Sequence, residues 1–101
     1  MFKIVWEKNA RNELAEVLKF WVKHNKSNSY SIKIFEEVEL LQNLLEKHPF
    51  IGSITDYKDI RRILVLKKFS LFYTVESKTI TILSFWDNNQ NPDNINIKLN
   101  K

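Results

Sequence analysis

The chain of 101 residues has no cysteine, one glycine, two prolines and two histidines. Without cysteine there is neither a disulfide nor a thiolate metal ligand, which suits a reducing compartment. The two histidines and the scattered carboxylates fall in no metal-ligand spacing, so neither metal nor cofactor is expected. One glycine cannot build a phosphate-cradling glycine-rich loop. No segment approaches the roughly 18 apolar residues of a membrane span. The opening Met1-Phe2-Lys3-Ile4-Val5-Trp6 lacks the apolar core of a signal peptide. The expectation is a cytoplasmic chain of one domain, with no membrane partner.

The chain is instead rich in β-branched and aromatic residues, and these concentrate between Ile60 and Trp86. Three runs, 60–66, 69–75 and 79–86, are separated by Lys67-Lys68 and by Glu76-Ser77-Lys78. Gaps this short leave no room for a crossover, so the runs are predicted to form a three-strand antiparallel meander. Each run is apolar at nearly every position, so alternation does not reveal which face is inward. One face needs a helical cover, and the other is left for water or a partner.

The first half supplies that cover. Residues 2–6 have strand character and are expected to add a strand to the meander. Residues 8–25 place Ala10, Leu14, Val17, Leu18, Trp21 and Val22 on one helical stripe, with Phe20 about 110° away from it. After a polar break at 26–29, a second helix is predicted from Ser31 to Lys47. Its core stripe is Ile34, Val38, Leu41 and Leu45, and its solvated face is Glu36, Glu39, Asn43 and Lys47. Leu40 and Leu44 form an i,i+4 pair to one side. His48-Pro49 ends this helix, because a residue before proline leaves the α region. Gly52 is expected to supply a turn. Beyond Trp86 the chain turns polar, and Ile95, Ile97 and Leu99 alternate with polar residues as either a short terminal strand or a frayed tail. The predicted fold is α+β: strand, helix, helix and three strands, an antiparallel sheet covered on one face by a helical hairpin.

Charge is placed unevenly. Residues 1–51 hold eight Lys/Arg against seven Asp/Glu, whereas 57–72 hold Lys58, Arg61, Arg62, Lys67 and Lys68 against Asp59 alone. Such a cluster focuses positive potential where an acidic partner docks; it also reads as an edge guarded by lysine against aggregation. Arg61 and Arg62, being adjacent on a strand, point to opposite faces. One should meet the helices and find an acidic or carbonyl partner there. Tyr73 reads first as a core aromatic, Trp86 as a sheet-edge anchor or a stacking surface, and His24 and His48 as helix-end residues.

The order and spacing of several short features resemble the RelE/ParE superfamily of type II toxin–antitoxin toxins, also labelled plasmid-stabilisation toxins. These features are Val5-Trp6 with Ala10 and Leu14; Leu41, Leu45, Pro49 and Gly52; Ile60-Arg61-Arg62-Ile63-Leu64; Phe69-Ser70-Leu71-Phe72-Tyr73-Thr74-Val75; Ile80, Ile82 and Leu83; and Asp87-Asn88-Asn89-Gln90-Asn91-Pro92. The resemblance implies a toxin domain over 1–92 with 93–101 as a tail or terminal strand. It also implies a growth-inhibiting toxin, neutralised by a cognate antitoxin in a hetero-oligomer.

The superfamily divides by target. One branch resembles metal-free endoribonucleases that cut messenger RNA on the ribosome, and the other acts on DNA gyrase. Cleavage needs a base, an acid and cations around the phosphate. Arg61 stands where the ribonuclease branch carries a basic residue, but Ser70 occupies a position that is often arginine there. Asp87, Asn88, Asn89 and Asn94 replace the Arg, His or Tyr of its C-terminal end. Binding without cleavage, with gyrase as the implied target, is therefore preferred. The alternatives are a ribonuclease using Arg61, Arg62 and Tyr73, and an inactive antitoxin-binding module. The expected target contacts are Arg61, Arg62, Lys67, Lys68, Trp86, Asn89 and Gln90. The expected antitoxin contacts are Phe20, Leu40 and Leu44.

Overall fold

The computed structural model of the chain describes residues 2–89. Gln90 and the alternating stretch at Ile95, Ile97 and Leu99 lie outside them. Strand β1 (Lys3–Trp6) leads into helices α1 (Lys8–Asn25) and α2 (Ser29–Lys47), followed by β2 (Ser53–Ile54), β3 (Arg61–Val65), β4 (Phe69–Glu76) and β5 (Thr79–Asp87). The strands lie in the order β1-β5-β4-β3-β2. The meander β3-β4-β5 is antiparallel, as expected. The sheet departs from the expectation at both edges, in direction at one and by an added strand at the other. β1 pairs with β5 in parallel, with Lys3 opposite Thr79 and Trp6 opposite Ile82, a pairing permitted by the long intervening chain of two helices and three strands. β2 is a two-residue edge strand opposite Arg61 and Arg62, too short to leave a periodic signal.

The helical hairpin covers one face. α1 ends where Lys26 turns left-handed (φ 53°), and the Ser27 hydroxyl then accepts the Ser29 N–H at 3.2 Å. That bond starts α2 two residues before the predicted Ser31. Ser31 is buried and donates to the Leu18 carbonyl of α1 at 2.6 Å, which holds the two helices at close approach. At its far end, the His48 N–H bonds the Leu44 carbonyl and Pro49 stops the helix.

Ala10, Ile34, Val38 and Leu45 pack on Val65, Phe69, Leu71, Tyr73, Ile80, Ile82 and Phe85 of the sheet. Phe69 and Phe85 stack with centroids 5.4 Å apart, a geometry that contributes about 1 kcal/mol beyond area burial. Val22 does not join this core. It is 40% exposed, while its neighbour Trp21 packs against the core. Trp6 reaches α2 instead, donating its indole N–H to Gln42 Oε1 at 3.0 Å.

Two local features differ from the sequence expectation. The β3–β4 connection is three residues, Leu66 to Lys68, and starts one residue earlier than the predicted Lys67-Lys68; its turn centres on Leu66-Lys67. Both residues have positive φ (55° and 57°), and the Lys68 N–H closes the turn on the Val65 carbonyl at 3.1 Å. This is the geometry that Asn-Gly usually supplies. Gly52 has no positive φ, so it is not needed for a turn. Its role is steric: a Cβ there would lie 2.6 Å from the Tyr73 hydroxyl oxygen.

Candidate functional site

Pleating divides β3 residue by residue. Arg61, Ile63 and Val65 face the helices with Tyr73, Leu71 and Phe69 opposite them, and Arg62 and Leu64 face the open side with Phe72 and Ser70 opposite. On the helix side, Arg61 Nη1 donates to the carbonyls of Gly52 (2.8 Å) and Phe50 (3.1 Å), and its guanidinium lies 5.2 Å from the Phe50 ring centre. It meets the expected carbonyl partners and ties the 50–52 loop to the sheet. Tyr73 beside it is fully buried. Its hydroxyl donates to the Pro49 carbonyl at 2.8 Å and accepts the Gly52 N–H at 2.9 Å. Burial raises its pKa above the ordinary 10, against the smaller lowering effects of the Gly52 hydrogen bond and of Arg61.

The open face is built differently. Arg62 Nε donates to Ser70 Oγ at 2.7 Å, and Ser70 Oγ donates to Asn88 Oδ1 at 2.6 Å. Ser70 is almost completely buried, so this chain of bonds fixes the exposed arginine from below. Beside it, Ile60, Phe72 and Trp86 form a small second core with Tyr57 and Leu83 packed on it. A loop holds Tyr57 in place: the Thr55 hydroxyl donates to the Ile60 carbonyl at 2.8 Å and accepts the Tyr57 N–H at 3.1 Å. Of these groups the aromatic Tyr57, Phe72 and Trp86, together with Arg62, Ser70 and Asn88, line a cleft of about 540 Å³.

Trp86 reaches this cleft because of an irregularity in β5. Ile80 and Ile82 face the helices, and strict alternation would turn Trp86 the same way. Phe72 pairs with Ser84 but Tyr73 pairs with Ile82, so Leu83 is an inserted bulge residue. Past it, Phe85 faces the helices and Trp86 the open side. Helix α1 satisfies the groups the bulge frees. Asn9 Nδ2 donates to the Leu83 carbonyl (2.9 Å), and Glu13 Oε1 accepts from Ser84 Oγ (2.9 Å) and the Phe85 N–H (3.1 Å). The signal in the sequence was a polar i,i+4 pair, Asn9 and Glu13, flanking the apolar stripe of α1.

The structure does not gather the expected contacts into one patch. Arg62 and Trp86 share the cleft, while Arg61 and Tyr73 lie on the helix face. Arg61, Arg62 and Tyr73 therefore do not form a single catalytic constellation. Lys68 also turns toward the helices, its Nζ 4.1 Å from the Trp21 ring centre, because the turn begins one residue early. Lys67 is exposed at the turn. The Asn89 N–H bonds Asp87 Oδ1, and it is Asn88, its neighbour, that lines the cleft. Phe20, Leu40 and Leu44 are all exposed (54%, 62% and 45%) but lie in two places. Leu40 and Leu44 share a groove with Leu64 between α2 and β3. Phe20 stands on α1 beside Trp21. Among the described residues no group of three His, Cys, Asp or Glu is placed to hold a metal, and no helix is long and apolar enough to cross a membrane.

A family model described as the ParE toxin of type II toxin–antitoxin system, parDE, matches residues 4–92. The fold is similar to a solved chromosomal ParDE toxin–antitoxin system from P. aeruginosa, with a TM-score of 0.73 at 18% identity, covering 86% of this chain and 96% of that one. It is also similar to a copper-bound mutant toxin from Helicobacter pylori, with a TM-score of 0.60 at 18% identity, covering 87% and 96%. No curated protein sequence matches.

Proposed function

The chain belongs to the ParE toxin family of type II toxin–antitoxin systems, and on that premise we propose that it arrests growth by gripping a cytoplasmic protein target through the open face of its sheet. Family membership gives it an antitoxin as partner. DNA gyrase is the target the family resemblance implies. The observation that carries this reading is the Arg62–Ser70–Asn88 chain beside the aromatic lining of the cleft. A guanidinium held by one nitrogen keeps its remaining donors for an acidic or carbonyl group on a partner, and aromatic residues beside arginine are what tight protein interfaces use. Ser70 and Asn88 carry no ionising group, and the cleft's one carboxylate, Asp56, is exposed on its loop. This supports holding a target over cutting RNA, which needs an acid and a base beside the phosphate.

The test is induction of the wild type and of Arg62→Ala. The wild type should stop growth and inhibit supercoiling by gyrase, and primer extension on translated messages should show no new ends. Arg62→Ala should lose growth arrest with its melting temperature unchanged. New message ends with gyrase unaffected would establish the ribonuclease alternative, and a fully toxic Arg62→Ala would move the target site elsewhere. The exposed pair Leu40 and Leu44 and the separate Phe20 are the surfaces we assign to the antitoxin. Polar substitution there should abolish rescue by a co-expressed antitoxin without reducing toxicity.

A further inference from the structure

A second cavity, of about 450 Å³, opens between α1 and the end of β5. It shares Trp86 with the cleft and none of the cleft's other lining residues. Its walls include Val17, Phe20, Trp21 and Phe85, and its polar lining is Asn12 with three carboxylates, Glu13, Glu16 and Asp87, in a chain of net charge +4; Glu13 already accepts from Ser84 and the Phe85 N–H. Neither Glu16 nor Asp87 has an ion-pair partner among the described residues; Asp87 accepts only the Asn89 N–H. Phe20 is half exposed, stacked on His24 at 5.4 Å and edge-on to Trp21 at 5.1 Å. The Trp21 ring already carries one cation, the Lys68 ammonium. Its indole N–H is a buried donor with no acceptor among the described residues.

We propose that this cavity receives an arginine side chain from an extended segment of a protein partner. The proposal rests on the reading that the antitoxin covers α1. Three carboxylates beside aromatic rings repel phosphate and other anions and favour a cation. A planar guanidinium can stack on Phe20 while its fork donates to both Glu16 and Asp87, whereas a lysine ammonium offers a single point of charge and no plane to stack.

The probe is the peptide acetyl-Leu-Arg-Leu-amide, titrated into the isotope-labelled full chain and followed by amide and indole NMR shifts. Its control is the same peptide with citrulline, which keeps the shape and removes the charge. The arginine peptide should shift Glu16, Trp21 and Asp87 and bind about fivefold or more tighter than citrulline, as expected when a charge-assisted pair is lost. Glu16→Gln combined with Asp87→Asn, which keeps an acceptor for the Asn89 N–H, should remove that preference and leave citrulline binding unchanged. Equal binding of the two peptides, or shifts confined to the cleft around Arg62, would overturn the proposal. So would peptide-free shifts of the same residues that grow with protein concentration, since they would make a second copy of the chain the occupant. Growth rescue by the antitoxin is scored separately. Rescue without arginine preference sinks only this inference, and arginine preference without rescue sinks the toxin–antitoxin reading of α1.

Discussion

Arg61 and Arg62 are adjacent in sequence and alternate across the sheet, yet they do different work. Arg61 is consumed by the fold: it is bonded to two loop carbonyls, lies over Phe50 and is packed beside a buried tyrosine. Arg62 is aimed by the fold: one nitrogen is anchored to a buried serine and the rest of the guanidinium is left at the surface of a cleft. The helix face of this sheet spends its polar groups on closing loop 49–52, and the open face spends them on presenting one cation. Basic composition alone does not distinguish an arginine bonded into the fold from one left exposed; the partners of each nitrogen do.

The sharpest way to break the closed side is Gly52→Ala. The added methyl meets the Tyr73 hydroxyl oxygen at 2.6 Å and its ring carbon at 2.8 Å in a packed interior. Chemical denaturation should show a loss of about 3 kcal/mol, the upper end for overpacking. Tyr73→Phe should cost less, about 2 kcal/mol, by leaving the Gly52 N–H and the Pro49 carbonyl without their buried partner. The same variant tests the tyrosine's raised pKa. A phenol whose pKa is higher folded than unfolded contributes stability that is full below about pH 10 and lost as pH climbs toward the folded value. Melts of the wild type above pH 10 should therefore fall more steeply than those of Tyr73→Phe.

Arg61→Ala comes next, with a loss of about 1.5 kcal/mol for its charged bonds to two carbonyls at a half-exposed site. It contrasts with Arg62→Ala, where stability should stay within about 0.5 kcal/mol. If the two alanine variants melt alike, the contrast between the faces fails. The smallest expected effect is a gain. Lys67→Gly relieves a left-handed residue in the β3–β4 turn and should raise stability by about 0.5 kcal/mol, a rise in denaturation midpoint that leaves toxicity intact.

Much of this was legible in the sequence. The meander showed in its β-branched runs, the helices in their stripes, and the opposite facing of Arg61 and Arg62 in the strand period. What stayed hidden depends on contacts between distant residues. The bulge at Leu83 lies inside an unbroken apolar run, and its hydrogen-bond partners, Asn9 and Glu13, lie more than 60 residues away. Trp86's side of the sheet therefore could not be read by counting. Gly52 suggested a turn because glycine usually does, whereas the reason for it is Tyr73, brought close only by the fold. Lys68 looked like part of a basic hairpin tip, and only the turn's actual position sends it over Trp21. Ser70 and Asn88 were read only as replacements for ionising residues, and their bond to each other, which positions Arg62, carried no signal.

The parallel edge between β1 and β5 has a kinetic consequence. Lys3 to Trp6 pair with Thr79 to Ile82, across nearly the whole length of the described chain, while β3, β4 and β5 are joined by tight turns. Closing a long loop is entropically dearer than closing a hairpin, so the meander is expected to assemble early and β1 to dock late. During synthesis the first strand made must wait for the last strand before its hydrogen bonds can be satisfied. A nascent chain of this protein is thus an incomplete sheet until residue 82 has emerged, and β1 is the strand that waits longest for its partner.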